Sequence, residues 1–495
     1  MRRSLRSFGR LLLEPANSAA LMFAFILVFM KKWEPGGNID AIWYEAIAKN
    51  IATTGDFFHF FVSRNVEIVW DHMPMTYWIV GGIMRLFGVS DFIARLYPMA
   101  CSYASCLLVY ACARRMRGAT FGLLALVSYA LCLGAMKWNG SLMQDVPLTT
   151  FFLGAYYSLL RARSQPRWLC GAALFVSLGV LTKGPIIFGF AGAAFVWIAW
   201  EHRWNLLRTR WFLASVAVVG LLLGSLYLPS LRFDGHAYYD LFWEAKRSYG
   251  APSTGGWRRH FAYVQVLWTG AFLMIPFALA SLPALFGGRD RLDDGKGRSE
   301  LRLALLIVFS VAVPLSFFAV KYPHYMLPVY PFVALLAASC LERLIPPAWL
   351  SDFPTAVRTV AVATAFFFVS TPLKITGQRS KEALNLVNSI KLDSQIRSKD
   401  VVFVGRFKDD MSVLQAFKLY GSIDLSLRDP TWAAMADLSR TWLIIPFGRL
   451  PLSRAVGVPL TERDCLFRNG VHCAITQREG LSFDLPTDRY PHEIY

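Results

Sequence analysis

Long unbroken apolar runs, rather than alternation, set the pattern of this chain. They lie near 17–32, 92–113, 118–135, 146–160, 168–183, 186–200, 212–230, 263–286, 303–319, 324–340 and 357–373. A helix needs ~20 residues to cross the hydrocarbon core, so the shorter runs are expected to extend into their flanks. The pattern predicts an α-helical polytopic membrane protein with about 11–13 transmembrane helices. From about 376 the pattern changes. Val401–Val404 and Trp442–Ile445 read as short strands, Met411–Tyr420 has helical spacing, and Asn469-Gly470 between Cys465 and Cys473 signals a hairpin. The expected domains are a transmembrane domain over 1–375 and a small soluble α/β domain over 376–495.

Charge orients this pattern. With the N-terminus inside and the spans alternating, the inner loops hold Arg114-Arg115-Arg117, Arg161-Arg163-Arg167, Arg203-Arg208-Arg210 and the stretch Arg289–Arg302. Each is basic, as cytoplasmic loops are. The outer segments are then 33–91, 136–145, 183–185, 231–262, 320–323 and the tail. Arg2, Arg3, Arg6 and Arg10 precede the first run. No small-x-small cleavage site follows Met30, so a retained signal anchor is expected rather than a cleaved signal peptide.

Composition agrees with a bilayer. Hydrophobic residues make up 55% and charged residues 17%, against about 25% charged in soluble domains. Mean hydropathy is +0.41. The net charge of +18 sits largely in the inner loops, so no nucleic-acid partner is expected. Membrane lipids are, and basic residues elsewhere suit an anionic substrate. Cys101, Cys106, Cys112, Cys132, Cys170 and Cys340 lie in or beside apolar runs without metal-ligand spacing and read as packing residues. Cys465 and Cys473 flank the hairpin. A three-residue Arg468-Asn469-Gly470 loop would set them directly opposite, and an oxidising outer compartment would then favour a disulfide.

The chemistry-bearing residues fall on the outer face. Asp40 and Tyr44 follow the first span, and Asp145 opens another; either aspartate could be a helix N-cap. Asp71-His72-Met73-Pro74 leads into an aromatic stretch. Lys183 stands at a helix break in Leu181-Thr182-Lys183-Gly184-Pro185. Arg247 lies in the 231–262 segment, and Lys321-Tyr322-Pro323-His324-Tyr325 joins two spans. A lone charge at a span end can snorkel. Several cations converging with tyrosines instead supply the donors that a lipid-linked phosphate needs. Asp71 and His72 are also candidate ligands for zinc or magnesium, although adjacent Asp-His pairs arise readily by chance. No soluble cofactor motif occurs.

In order and spacing these motifs resemble the bacterial relatives of the protein O-mannosyltransferases, especially the lipid A aminoarabinose transferases and their galacturonosyl cousins, of the glycosyltransferase C superfold. The resemblance covers about 10–370. It implies a periplasmic active site in the bacterial inner membrane. There a sugar passes with inversion from a polyprenyl (undecaprenyl or dodecaprenyl) phosphate to an acceptor, lipid A or the lipopolysaccharide core. The sugar would be of the 4-amino-4-deoxy-arabinose or galacturonic acid type. By resemblance, Asp40 is the catalytic carboxylate and Asp145 the aspartate before the fourth span. Arg247 and Tyr325 hold the carrier phosphate, with Tyr44, His72, Lys183, Lys321 and His324 also at the substrate. Two departures bear on the sugar: Ala41 stands where relatives often have Glu, and Asp71-His72-Met73-Pro74 where they often have Glu-Lys-Pro-Pro. Transfer of a hexose such as mannose to protein or another envelope glycan is the alternative. A flippase of lipid-linked sugars is the competing class; it predicts mid-helix charges and internal pseudo-symmetry, and no repeat is visible.

Overall fold

The structure, a computed structural model, describes residues 14–29, 39–58, 60, 73–201, 203–232, 260–286, 297–318 and 321–370, with strand segments between 400 and 475. The chain forms two compact units. One comprises Met1–Trp33, Trp70–Thr76 and Arg95–Lys374; the other comprises Glu34–Val69, Tyr77–Ala94 and Ile375–Tyr495.

The first unit is helical, and each apolar run described above falls on a helix. Pro15–Phe29, Asp91–Arg117, Asp145–Ala162, Trp168–Lys183, Arg210–Arg232, Arg298–Phe317, Tyr330–Leu344 and Pro347–Ser370 are single helices. Other runs are broken. Ala119–Ala130 is followed by the short Leu133–Trp138 helix, and a 3-10 turn at Pro185–Ile187 precedes Phe188–Trp200. Ala262–Ala271 and Ile275–Phe286 meet at 104°. Pro276 sits in the first turn of the second piece, where its missing N–H costs nothing. These breaks explain why fewer helices than expected reach full spanning length. Among the described residues Phe92–Arg117, Arg298–Phe317 and Pro323–Leu344 do so, and the bent pair counts as a fourth.

Packing follows from composition. Asp145–Ala162 and Trp168–Lys183 form an antiparallel hairpin, against which Arg210–Arg232 packs. Tyr330–Leu344, buried over most of its length, lies among Ala119–Ala130, Ile275–Ala280 and Arg298–Phe317. Leu213, Leu221, Val264 and Phe309 face outward, as lipid-facing side chains do in a bilayer-spanning bundle. Gly134 and Gly270 admit the buried Tyr330 ring, because a Cβ on either would overlap its hydroxyl end.

Ion pairs sort the ends of these helices onto two faces. Arg114 pairs with Glu14 at 2.9 Å, Arg117 with Glu342 at 2.9 Å and Arg302 with Glu201 at 3.0 Å. Arg163 pairs with Glu300. Every partner comes from a segment that the charge pattern places inside. The Asp145 and Lys183 ends of their helices lie a full helix length away, about 1.5 Å per residue along the axis.

The second unit holds the Ile39–Thr54 and Met75–Phe87 helices in large part, and the strands of the tail. Trp78 Nε1 donates to the Phe57 carbonyl at 2.5 Å. The Tyr77 ring packs on Tyr44 and Phe60, with centroids 5.6 and 5.1 Å away. The strands are β1 Asp400–Val404, β2 Leu425–Arg428, β3 Thr441–Pro446, β4 Arg454–Ala455, β5 Val458–Pro459, β6 Phe467–Arg468 and β7 His472–Ile475. Five of them form one sheet in the order β2-β1-β3-β7-β6. The β1 strand runs parallel to β2 and β3, while β7 is antiparallel to β3 and β6. The expected strands at 401–404 and 442–445 coincide with β1 and β3. The helix expected at 411–420 lies outside the described residues.

The hairpin corrects one expectation. Cys473 is paired with Arg468, and Ala474 with Phe467, so Cys465 is not the residue opposite Cys473. The register is set by the neighbouring strand, which binds β7 through Ile445↔Cys473 and Pro446↔His472. The turn is therefore wider than the expected three-residue loop; Cys465 lies outside the described residues, and the expected disulfide with it.

Candidate active site

Asp145 is the first residue of its helix, and Gln144 holds the N-cap position without a side-chain cap hydrogen bond. The simple N-cap reading of Asp145 therefore fails. Its carboxylate is 1% exposed and is used elsewhere. Lys183 ends the return helix, where Gly184 takes φ 78° and donates its N–H to Val180 O at 2.8 Å. That conformation favours glycine, and Pro185 then bars the helix from continuing. The hairpin thus sets an aspartate at a helix start beside a lysine at a helix end, each at the pole that the helix dipole favours. Lys183 Nζ and Asp145 Oδ2 form an ion pair.

The Pro323–Val329 3-10 turn brings the third component. His324 Nε2 lies 3.9 Å from Asp145 Oδ2. Lys183 Nζ sits 4.2 Å from the centroid of the Tyr325 ring, a cation–π contact. Tyr322 stacks on His324 at 5.3 Å, and Tyr325 meets His324 edge-on at 4.9 Å. Trp138 closes the far side of His324, edge-on at 5.5 Å. Below the pair, Thr182 Oγ1 donates to Met75 Sδ at 3.7 Å.

Of the residues singled out in the sequence, Asp145, Lys183, His324 and Tyr325 are brought together. Lys321 instead donates to the Phe318 carbonyl. Asp40 lies inside the first turn of Ile39–Thr54 rather than at its cap, and Tyr44 is buried on the same helix; both belong to the second unit. Asp71, His72 and Arg247 lie outside the described residues, and with them the candidate zinc or magnesium pair. Among the described residues no group of three or more His, Cys, Asp and Glu is placed to hold a metal.

Sequence reasoning missed Trp138, Gln144 and Tyr263, and gave Tyr322 no role of its own within its motif. Tyr263 is 1% exposed, next to the Tyr322 backbone and within range of the Asp145 charge. Glu45 and Lys49, buried one turn apart on the Ile39–Thr54 helix, were also unflagged. A charged pair at i,i+4 on an otherwise apolar helix was the available signal.

Known proteins resemble this chain in sequence and in fold. Residues 71–228 match the model of the dolichyl-phosphate-mannose-protein mannosyltransferase family. An uncharacterized protein of Aquifex aeolicus is 26% identical over 330 residues, 65% of this chain and 62% of the relative. An undecaprenyl phosphate-alpha-4-amino-4-deoxy-L-arabinose arabinosyl transferase of Erwinia tasmaniensis is 26% identical over 333 residues, 64% of this chain and 57% of the relative. The chain therefore matches less than two thirds of the length of either relative. The crystal structure of ArnT from Cupriavidus metallidurans bound to undecaprenyl phosphate superposes with TM-score 0.67 at 17% identity, covering 95% of this chain and 98% of that one. The apo oligosaccharyltransferase of Archaeoglobus fulgidus gives 0.52 at 12% identity, covering 96% and 75%. The fold is the one these two membrane-protein structures share. The likeness to the arabinosyl transferase and mannosyltransferase proteins is one of sequence over part of the chain and of fold.

Proposed function

We propose that the chain is an inverting glycosyltransferase of the bacterial inner membrane. It takes a sugar from a polyprenyl phosphate and transfers it, on the periplasmic side, to lipid A or the lipopolysaccharide core. The observation that carries this reading is the convergence of Asp145, Lys183, His324 and Tyr325 at one end of an apolar bundle whose other end is built from Arg–Glu pairs. The undecaprenyl phosphate of the Cupriavidus ArnT structure and the arabinosyl transferase activity of the Erwinia relative support the choice of donor. The tail, with its sheet, is the periplasmic α/β domain in this reading.

The reaction breaks the bond between the anomeric carbon and the phosphate oxygen while an acceptor oxygen attacks from the opposite face. Lys183, Arg247 and Tyr325 donate to the leaving phosphate, whose growing charge they stabilise. Asp40 accepts the proton of a hydroxyl acceptor, a role worth typically about 10²–10⁴-fold. A phosphate acceptor on lipid A is already ionised and needs little of that help. Asp145 holds Lys183 in place by their ion pair in a low-dielectric setting, where an unpaired ammonium would be costly.

Mass spectrometry of lipid A and core oligosaccharide from cells with and without the gene tests this reading. A pentose- or uronic-acid-sized mass lost with the gene supports it; unchanged lipid A and core contradict it. The match of 71–228 to protein mannosyltransferases favours a second acceptor class, protein, which would show instead as lost hexose on envelope proteins.

A further inference from the structure

Two anions claim the Lys183 ammonium: the Asp145 carboxylate, with which it is paired, and, in the reading above, the carrier phosphate. The carboxylate meets its two basic neighbours through one atom. Lys183 Nζ and His324 Nε2 both face Oδ2, the imidazole from 3.9 Å. At that distance His324 is about 1 Å beyond hydrogen-bond reach, so the hydrogen bond to Oδ2 is the lysine's.

His324 is braced where it stands. Tyr322 lies nearly parallel to its ring at 5.3 Å, and Trp138 and Tyr325 meet it edge-on at 5.5 and 4.9 Å. The side chain is 10% exposed. Lys183 approaches from the next helix, its ammonium 4.2 Å from the Tyr325 centroid. Lys137 lies 5.1 Å from the Trp138 ring, and the Tyr263 hydroxyl bonds to the Tyr322 backbone. Enclosed by three rings, with Nε2 toward Asp145, the imidazole is placed to serve the carboxylate rather than the substrate.

We propose that His324 is a positioning residue that takes over Asp145 when Lys183 turns to the carrier phosphate. A buried carboxylate that loses its cation is costly, and Arg247, in the reading above, adds charge at the phosphate and not at Oδ2. Imidazole is the side chain that gains a proton near neutral pH. A proton from solvent settles on His324, Nε2–H donates to Oδ2, and the lysine ammonium donates to the phosphate. Every charge then has a partner, and no bond of the sugar is made or broken in the exchange. Trp138 and Tyr322 act through His324 by holding its ring in line with the carboxylate. The proposal rests on the donor reading above and adds that donor binding takes up a proton.

The test uses the full chain in lipid nanodiscs with undecaprenyl phosphate as the probe. Affinity is measured from about pH 7 to about pH 8.5, where the lipid phosphate is already ionised. Uptake of one proton on binding lowers affinity by about ten-fold per pH unit. Wild type should show that fall, and calorimetry in two buffers of different ionisation enthalpy should count about one proton taken up per lipid bound. His324→Asn should bind with an affinity that stays level over the same range and take up no proton. A level wild type would show that Lys183 serves both anions at once and would overturn the exchange. The same fall in wild type and His324→Asn would place the proton on another group and overturn it as well. A wild type that binds no lipid at any pH would sink the donor reading and the exchange with it, a result distinct from the others. If His324→Asn fails to fold, the wild type decides alone: a count near one proton supports the exchange, and a count near zero overturns it.

Discussion

Asp145 and Lys183, 38 residues apart in the chain, form an ion pair buried at one end of the helical hairpin that each of them bounds. The pair is 1% and 9% exposed at its two side chains, so each charge depends on the other. Removing one partner of a buried pair typically costs about 3–5 kcal/mol, since it leaves the other charge unpaired. Lys183→Met should therefore lower thermal stability in detergent markedly. The double change Lys183→Met with Asp145→Asn should restore most of the stability but not the activity. A Lys183→Met protein as stable as wild type would show that the pair is not the buried contact described here.

Asp40→Asn keeps the shape of the side chain and removes its charge. If Asp40 takes the acceptor proton, turnover should fall by about 10²–10⁴-fold with membrane abundance unchanged. Wild-type turnover in the variant would exclude that role for a hydroxyl acceptor.

Arg247→Ala and Tyr325→Phe should act on the donor. A charge-assisted hydrogen bond is worth about 1.5–3 kcal/mol, so the arginine change should raise the donor KM by about ten- to a hundred-fold. Titration of donor and acceptor separately checks this. Loss confined to acceptor affinity would reverse the assignment.

The helix breaks around the site were only partly legible beforehand. The Trp168–Lys183 helix could be read to its last residue, because Gly184-Pro185 is a stop signal in any context. The 104° bend after Ala271 could not, because the run 263–286 is apolar throughout and Pro276 is compatible with a continuous span. The two faces were legible from the arginines alone, and the structure adds the glutamates that pair with them. The site was legible where a charge interrupts an apolar run, as at Asp145, Lys183 and His324. Trp138 and Tyr263 escaped because aromatic residues near a membrane interface are ordinary, and only a contact such as that of Trp138 with His324 sets one apart. The hairpin register escaped for a related reason: the β3 strand, distant in sequence, decides it.

Packing around Tyr330 gives a prediction independent of chemistry. Gly270→Ala adds a methyl group that would overlap the Tyr330 hydroxyl end, and Tyr330 is buried. Overpacking of this kind typically costs about 1–3 kcal/mol. The melting temperature in detergent should fall, and Gly270→Ala combined with Tyr330→Phe should recover part of the loss. No change in the single variant would contradict the close approach.

The account stands most directly on transfer itself. The full chain, purified and reconstituted in proteoliposomes, would be given undecaprenyl phosphate-linked 4-amino-4-deoxy-arabinose or galacturonic acid together with lipid A and core oligosaccharide, and the products weighed by mass spectrometry. The account predicts a sugar-sized mass gain on an acceptor, release of undecaprenyl phosphate, and loss of both in the Asp145→Asn and Lys183→Met proteins. Transfer that persists undiminished in both variants, or a folded wild type that moves intact lipid-linked sugar across the bilayer without releasing undecaprenyl phosphate, would contradict it.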